Sequence, residues 1–142
     1  MTELTDLYHP LILQHSRRPE NFSKSQETGQ TIEAYNPLCG DQFKIQFNVL
    51  HNKIIHVSFS GYGCAVSKAA TSILLSKFKG LTIPDAMKLL SNYLRSLRGE
   101  DSAIAEDLQI FQAVKKYPGR AQCATLSAEA ILNYLIMKNK PS

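Results

Sequence analysis

Long apolar segments are missing from this sequence. No run of apolar residues approaches the roughly 20 that a membrane-spanning helix requires. The opening residues, MTELTD, also lack the basic and then apolar order of a secretory signal peptide. We therefore expect a cytoplasmic protein that has no membrane partner.

Charge of one sign is not concentrated anywhere in the chain. Lysine and arginine number 16 against 12 acidic residues, which gives a net charge of +4 at pH 7. The basic residues are scattered, with acidic residues between them and no basic stripe flanked by aromatic side chains. Such a stripe is typical of nucleic-acid binding. We therefore predict no nucleic-acid partner, while a docking surface for an acidic protein stays open.

Internal repeats, low-complexity tracts and linker-like segments are absent as well. The 142 residues are 44% hydrophobic and 20% charged, which is the range of ordinary globular proteins. A chain of this length suits one domain with a sizeable core. We therefore predict a single domain over residues 1–142.

Strand patterns are concentrated in the first half of the chain. Polar and apolar side chains alternate over residues 42–49, which predicts a half-buried strand over residues 42–50. A turn and a second strand follow, in which Ile55, Val57 and Phe59 are expected to face the core. Residues 31–35 are predicted as a short edge strand.

Helical periodicity predicts five segments, and most of them follow the strands. The predicted segments are residues 7–15, 65–78, a helix from Pro84 to the break at Gly99, 106–117 ended by Pro118 and Gly119, and 125–137. This order predicts an α+β fold, in which helices pack on one face of a small antiparallel sheet of about three strands.

Cysteine is scarce, and its three positions are the most informative in the chain. Cys39, Cys64 and Cys123 form no Cys-x-x-Cys pair, which makes a thioredoxin-like motif or a zinc ribbon unlikely. In a reducing compartment an odd number of cysteines indicates metal or redox chemistry rather than disulfides. Each cysteine is predicted at a transition between elements. Cys64 and Cys123 are expected at helix N-termini, where the dipole favours the thiolate.

Asp41 adds a carboxylate to the three thiols. If Gly40 bends the chain, Cys39 and Asp41 can reach the same ion. Three thiolates and one carboxylate suit tetrahedral zinc, with Zn–S distances of about 2.3 Å. The same set also suits iron. Spacing alone leaves a second interpretation open, because free cysteines are commonly small core residues.

Charged and hydroxyl side chains flank this set of candidate ligands in the sequence. Zinc with four anionic ligands would leave a net negative site, which the nearby Lys68 and Arg120 can offset. Ser67 and Ser127 lie close to cysteines on predicted helices. We expect them to cap a helix or to hydrogen-bond rather than to act as nucleophiles, because no partner base is apparent.

The residues around the cysteines form three ordered motifs. These are NPLCGD at residues 36–41, GYGCAVSKAA at 61–70 and CATL at 123–126. Together with LQH at 13–15 and RPEN at 18–21, they resemble the IscU/NifU-N family of iron–sulfur cluster assembly proteins over nearly the whole chain.

Two features resemble the SufU branch of that family. Gln122 stands where IscU proteins carry a histidine before the third cysteine. The stretch between Cys64 and Cys123 is also longer than in IscU proteins, and we assign the extra residues to Arg98 to Leu108.

The resemblance implies an IscU/SufU-like fold and a zinc-bound sulfur acceptor. The matching zinc ligands are Cys39, Asp41, Cys64 and Cys123. Cys39 matches the cysteine that accepts persulfide sulfur from a pyridoxal-phosphate-dependent cysteine desulfurase of the SufS type. The sulfur would then pass to a downstream Suf or Isc scaffold or to an apo-protein. We expect Arg120 to neutralise the released Cys39 thiolate or to contact the partner.

Two alternatives share the same residues. An IscU-like scaffold would assemble a [2Fe–2S] cluster on these ligands, although the histidine expected at position 122 is missing. A structural zinc module would instead hold a closed site and bind a partner. Whether the protein is a sulfurtransferase enzyme or a scaffold without enzymatic activity is left open by the sequence.

Overall fold

The computed structural model describes residues 9–22, 30–37, 40–100, 103–114 and 116–139. In chain order the elements are α1 (Pro10–Arg17), β1 (Gln30–Asn36), β2 (Asp41–Leu50), β3 (Lys53–Tyr62), α2 (Ala65–Ser76), α3 (Ile83–Leu97), α4 (Glu106–Gln109), α5 (Phe111–Val114) and α6 (Pro118–Asn139). None of the helices in the described ranges combines the length and the hydropathy that a bilayer-crossing segment needs.

The three strands form one antiparallel sheet in the order β1-β2-β3. The alternation of β2 sets its faces, because successive side chains of a strand point to opposite sides. Phe43, Ile45 and Phe47 are buried against the helices, whereas Lys44 is exposed on the other face. The predicted half-buried strand, and β1 as an edge strand, are therefore confirmed.

The prediction that Ile55 faces the core is wrong. Asn48 pairs with His56 and Val49 pairs with Ile54, which leaves Ile55 as the extra residue of a β-bulge. The bulge reverses which side chains of β3 face the core on its N-terminal side. Ile54 is buried instead, and Ile55 is 44% exposed.

The helices cover one face of the sheet, as predicted. Helix α2 packs against α1 and α6, and α6 also contacts α3 and β1. Helix α3 begins as expected, with Thr82 as its N-cap and Pro84 in its first turn. The predicted start of α1 at Leu7 lies outside the described residues. The described helix begins at Pro10, where the His9 imidazole accepts a hydrogen bond from the Leu11 N–H.

Two helix bounds near the C-terminus differ from the prediction. The single helix expected over residues 106–117 is two short helices, α4 and α5, separated at Ile110. Pro118 and Gly119 do not stop a helix but begin α6, which starts seven residues before the predicted Thr125. A proline suits the first turn of a helix because its missing N–H would have no partner there.

Candidate metal centre

Three of the four predicted ligands meet at one end of the sheet. Asp41 is the first residue of β2, Cys64 is the N-cap of α2, and Cys123 lies in the second turn of α6. Their ligand atoms, one carboxylate oxygen and two Sγ atoms, all lie within 4.8 Å of one another. Residues far apart in the chain therefore converge on a single small site. Cys39, the fourth predicted ligand, lies outside the described residues.

The pairing of β2 with β3 brings Asp41 next to Cys64. Gln42 is opposite Tyr62, so the chain leaves β3 beside the start of β2. Gly61 has a φ of +120°, and a side chain there would collide with the Gln42 carbonyl oxygen. A methyl group on Gly63 would lie 2.5 Å from Ser67 Oγ and 2.9 Å from Asp41 Oδ1. Both positions thus require glycine so that the chain can approach Asp41 closely.

Asp41 is a buried carboxylate with one oxygen satisfied. Its side chain is 1% exposed, and Oδ1 accepts a hydrogen bond from the Cys64 N–H at 2.9 Å. Oδ2 is buried and has no hydrogen-bond partner among the described residues. A buried acceptor without a partner is costly, so this oxygen is placed to bind a cation.

Cys64 is placed to be a thiolate. Its Sγ accepts a hydrogen bond from the Ser67 N–H at 3.5 Å, which is the N-cap interaction at the start of α2. Hydrogen bonding from the Cys123 thiol lowers the pKa of Cys64 to about 5, with help from Ser67 and against the opposing effect of burial. A thiolate is the form of cysteine that binds metals.

Cys123 differs from its predicted environment. It lies within α6 rather than at a helix N-terminus, and its side chain is 2% exposed. Donating a hydrogen bond to Cys64 raises the pKa of the Cys123 thiol, and burial and the nearby negative charges raise it further. The prediction that the helix dipole makes Cys123 a thiolate is therefore wrong. The two cysteines therefore titrate as an interacting pair in which Cys64 is the more acidic.

The two predicted cations are placed differently. Arg120 is exposed on the first turn of α6, and the negative charge of Cys64 raises the pKa of its guanidinium. Hydrogen bonds with Cys123 and Cys64 act in the same direction. Arg120 is therefore beside the sulfur pair. The Lys68 ammonium instead lies over the Phe22 ring, 4.8 Å from its centroid, in a cation–π contact.

Hydroxyl groups continue from the site into the interface between α2 and α6. Ser67, Thr71 and Ser127 are each buried. Thr71 Oγ1 donates to the Ser67 carbonyl at 2.8 Å and lies 2.5 Å from Ser127 Oγ. The predicted hydrogen-bonding role of Ser67 and Ser127 is thus confirmed. The sequence reasoning missed Thr71, although its spacing of four residues from Ser67 was a usable signal.

The described residues fit a divalent cation. Two sulfur atoms and one carboxylate match the donors that zinc prefers, and they also suit iron. Asp41 Oδ2, which is buried without a hydrogen-bond partner among the described residues, is an available donor atom for such a cation. The three donor atoms already lie within 4.8 Å of one another. Only a small inward movement of these atoms would therefore bring all three into contact with one ion.

Comparison with known families and proteins agrees with the motifs. The model of the NifU-like N terminal domain matches residues 7–124. The zinc-dependent sulfurtransferase SufU of Bacillus subtilis (strain 168) is 30% identical over 131 residues, which cover 90% of this chain and 88% of that protein. The iron–sulfur cluster assembly scaffold protein IscU of Streptococcus pyogenes serotype M1 is 25% identical over 134 residues, covering 92% of this chain and 84% of that protein.

Solved structures show the same fold. The SufU protein from Fervidobacterium islandicum AW-1 superposes with a TM-score of 0.76 at 26% identity, covering 92% of this chain and 98% of that one. The N-terminal NifU-like protein from Brucella abortus has a TM-score of 0.83 at 17% identity and covers 97% and 99%, which supports the fold alone. The expected IscU/SufU-like fold is confirmed. The chain belongs to the NifU-like N-terminal domain family, as its three cysteine motifs predicted.

Proposed function

We propose that this protein is a zinc-bound sulfur acceptor in iron–sulfur cluster assembly. It would take persulfide sulfur from a pyridoxal-phosphate-dependent cysteine desulfurase through Cys39. The observation that carries the proposal is the convergence of Asp41, Cys64 and Cys123 within 4.8 Å, with one buried Asp41 oxygen that has no partner among the described residues. The 30% identity to a zinc-dependent sulfurtransferase supports this choice of metal and activity.

In this proposal Cys39, Asp41, Cys64 and Cys123 hold the ion. Bound zinc would keep the thiolates deprotonated without oxidising them, since it has no redox activity. The structure shows how Asp41, Cys64 and Cys123 are held. Asp41 and Cys64 are tied together by a 2.9 Å hydrogen bond, and Cys123 is fixed within a helix. Cys39 lies two positions before Asp41 in the chain, and the resemblance to the SufU branch is what makes it the proposed sulfur acceptor.

The proposed transfer is an exchange between a thiolate and a persulfide. The Cys39 thiolate attacks the outer sulfur of the donor persulfide, so that a new S–S bond forms on Cys39. The S–S bond of the donor breaks, and the donor cysteine leaves as a thiolate. No external oxidant or reductant is needed. Arg120, whose guanidinium lies beside the Cys64 and Cys123 sulfurs, would offset the negative charge that gathers at the site.

A [2Fe–2S] scaffold is the second candidate. Its support is the 25% identity to an IscU scaffold protein over 92% of this chain, together with a donor set that also suits iron. Gln122, which stands at the position of the IscU histidine, is exposed on α6 beside Cys123. An amide is a poor replacement for an imidazole ligand, so we place the scaffold second.

Metal content tests the proposal directly. The protein is purified from its native host, and zinc and iron are quantified for the wild type and for the Cys39→Ser, Cys64→Ser and Asp41→Ala variants. We expect about one zinc per wild-type chain and loss of zinc in Cys64→Ser and Asp41→Ala. The matched control is Asp85→Ala, which removes an exposed carboxylate on α3 and should keep the zinc.

Sulfur transfer and cluster formation separate the two candidates. With a cysteine desulfurase and labelled cysteine, the wild type should acquire label on Cys39, and Cys39→Ser should not. Arg120→Ala should slow the labelling while zinc stays bound. Anaerobic incubation with iron and sulfide should yield no stable coloured cluster. A cluster that persists and passes to an apo-acceptor would reject the zinc proposal in favour of the scaffold.

A further inference from the structure

Hydrogen bonds of Ser67, Thr71 and Ser127 lead away from Cys64 along a path that includes the backbone carbonyl oxygen of Ser67. The path begins at Cys64, whose Sγ accepts from the Ser67 N–H at 3.5 Å. The Ser67 hydroxyl donates to the Cys64 carbonyl oxygen at 3.1 Å. The N–H of Cys64 also donates to Asp41 Oδ1. The N–H, the carbonyl oxygen and the Sγ of Cys64 therefore each make a hydrogen bond.

The path then crosses from α2 to α6. Thr71 Oγ1 donates to the Ser67 carbonyl oxygen at 2.8 Å. Thr71 Oγ1 and Ser127 Oγ lie 2.5 Å apart across the two helices, in a hydrogen bond in which either hydroxyl can be the donor. Both side chains are buried, where water cannot replace this bond.

The hydrogen bond between Thr71 and Ser127 joins the helix faces that carry the two cysteines. Ser127 follows Cys123 by four residues on α6, and Thr71 follows Cys64 by seven residues on α2. These spacings place each hydroxyl on the same helix face as its cysteine. The hydrogen bond between Thr71 and Ser127 therefore fixes how far α2 can slide along α6.

A small slide of one helix would damage the metal site. One residue of an α-helix advances about 1.5 Å along the axis. The donor atoms of Asp41, Cys64 and Cys123 lie within 4.8 Å, so a displacement of that size would move the sulfurs out of common reach of one ion. Apolar packing alone is not directional, whereas a hydrogen bond tolerates only a few tenths of an ångström.

We propose that Ser67, Thr71 and Ser127 are positioning residues that set the separation of the Cys64 and Cys123 sulfurs for metal binding. This inference rests on the proposed function, because it assumes that the two sulfurs bind one ion. It assigns no contact with the ion to the three hydroxyls. Their effect is transmitted through the backbone of Cys64 and through the register of α2 against α6.

The test measures the zinc affinity of the full chain by competition with a chromophoric chelator. We expect Thr71→Val and Ser127→Ala to weaken zinc binding by about 10- to 100-fold, as is usual when groups that orient ligands are lost. Thr71→Ser keeps the hydroxyl and should restore the wild-type affinity. Ser96→Ala is the matched control, because Ser96 is also buried and accepts a hydrogen bond, here from Gln112.

Co²⁺ substitution provides a spectroscopic measurement that does not change when a variant only loses stability. The energy of the sulfur-to-cobalt absorption band in the Co²⁺-loaded chain reports the sulfur positions. It should shift in Thr71→Val and Ser127→Ala but not in Ser96→Ala or Thr71→Ser. Circular dichroism of the metal-free variants checks the fold, and Ser127→Ala gives the smaller perturbation if Thr71→Val fails to fold.

The outcomes separate this inference from the proposed function. If the wild type binds zinc through Cys64 and Asp41, but Ser127→Ala and Thr71→Val keep its affinity and its cobalt spectrum, the positioning role is refuted and the proposed function stands. If Ser96→Ala weakens zinc binding as much as Ser127→Ala does, the positioning role is refuted as well. A wild-type chain that binds no zinc would overturn both.

Discussion

Replacing Asp41 by asparagine should change stability in opposite directions with and without metal. In the metal-free protein Oδ2 of this buried carboxylate has no hydrogen-bond partner among the described residues. Leaving a buried polar group unpaired costs about 1–3 kcal/mol, and the cost is larger for a charged group than for a neutral amide. Asp41→Asn removes the charge and keeps an oxygen that can accept from the Cys64 N–H. We therefore expect the metal-free variant to gain about 1 kcal/mol in the free energy of unfolding.

Zinc should reverse that order. A ligand that binds only the folded state stabilises it by about 2.7 kcal/mol at a concentration 100 times its Kd. Asp41→Asn removes the anionic oxygen that we assign to the ion, so the variant should keep little of this stabilisation. With zinc present the wild type should therefore be the more stable protein, by about 1–2 kcal/mol.

Denaturation with guanidinium chloride, followed by circular dichroism, measures both free energies. One series contains a chelator and the other contains zinc, with the cysteines kept reduced in each. The control is Asp85→Asn, which neutralises an exposed carboxylate on α3. Equal stabilisation of the variant and the wild type by zinc would refute the role of Asp41 as a ligand. If Asp41→Asn lowers the free energy of unfolding in the chelator series, the unpartnered oxygen does not destabilise the metal-free protein.

Two further predictions concern the approach of the chain to the site and the charge of its sulfurs. Gly63→Ala should lower the free energy of unfolding by about 1–3 kcal/mol and weaken zinc binding, because a methyl group would lie 2.5 Å from Ser67 Oγ and 2.9 Å from Asp41 Oδ1. In a metal-free Cys39→Ser chain, the ultraviolet absorbance of thiolate should rise with a midpoint near pH 5, the pKa of Cys64. Cysteine in an unfolded chain titrates near pH 8.5, so Cys64 stabilises the folded state fully above about pH 8.5 and loses this contribution as the pH falls toward about 5.

Matched variants check both of these predictions. Gly80→Ala introduces strain at a φ of +91° without any atom within 4 Å, so it should lower stability and leave zinc binding unchanged. Equal zinc affinity in Gly63→Ala and Gly80→Ala would contradict the steric reasoning. Cys123→Ala removes the thiol that donates to Cys64, and it should move the thiolate midpoint to higher pH. An unchanged midpoint would show that Cys123 is not the donor.

Local periodicity was a reliable guide where neighbouring residues decide the structure. The alternation in β2 predicted its buried face, because the side chains of a strand point to opposite sides whatever lies around it. The same reasoning failed at Ile55, because a bulge depends on the register with β2 and leaves no local pattern. It also failed at Pro118 and Gly119, which can end one helix or begin the next, and packing decided between the two.

The convergence of three candidate ligands could be predicted from the sequence, whereas their local environments could not. The three motifs pointed to Asp41, Cys64 and Cys123, and the structure brings these residues together. The sequence assigned Cys123 the wrong environment because its place in α6 depended on the helix start. It also grouped Lys68 with Arg120, although Lys68 lies over Phe22 and Arg120 lies beside the sulfurs.

The sequence by itself determined the residue types of the site, the faces of β2 and the membership of the family, because motifs and alternation are carried by residues close together in the chain. Only the tertiary structure decided that the pKa of Cys64 is lowered and that of Cys123 raised, and that Thr71 meets Ser127 across two helices. Those properties arise from contacts between atoms more than 50 residues apart in the chain. No local pattern encodes such distances, because they are set by how the helices and the sheet pack together.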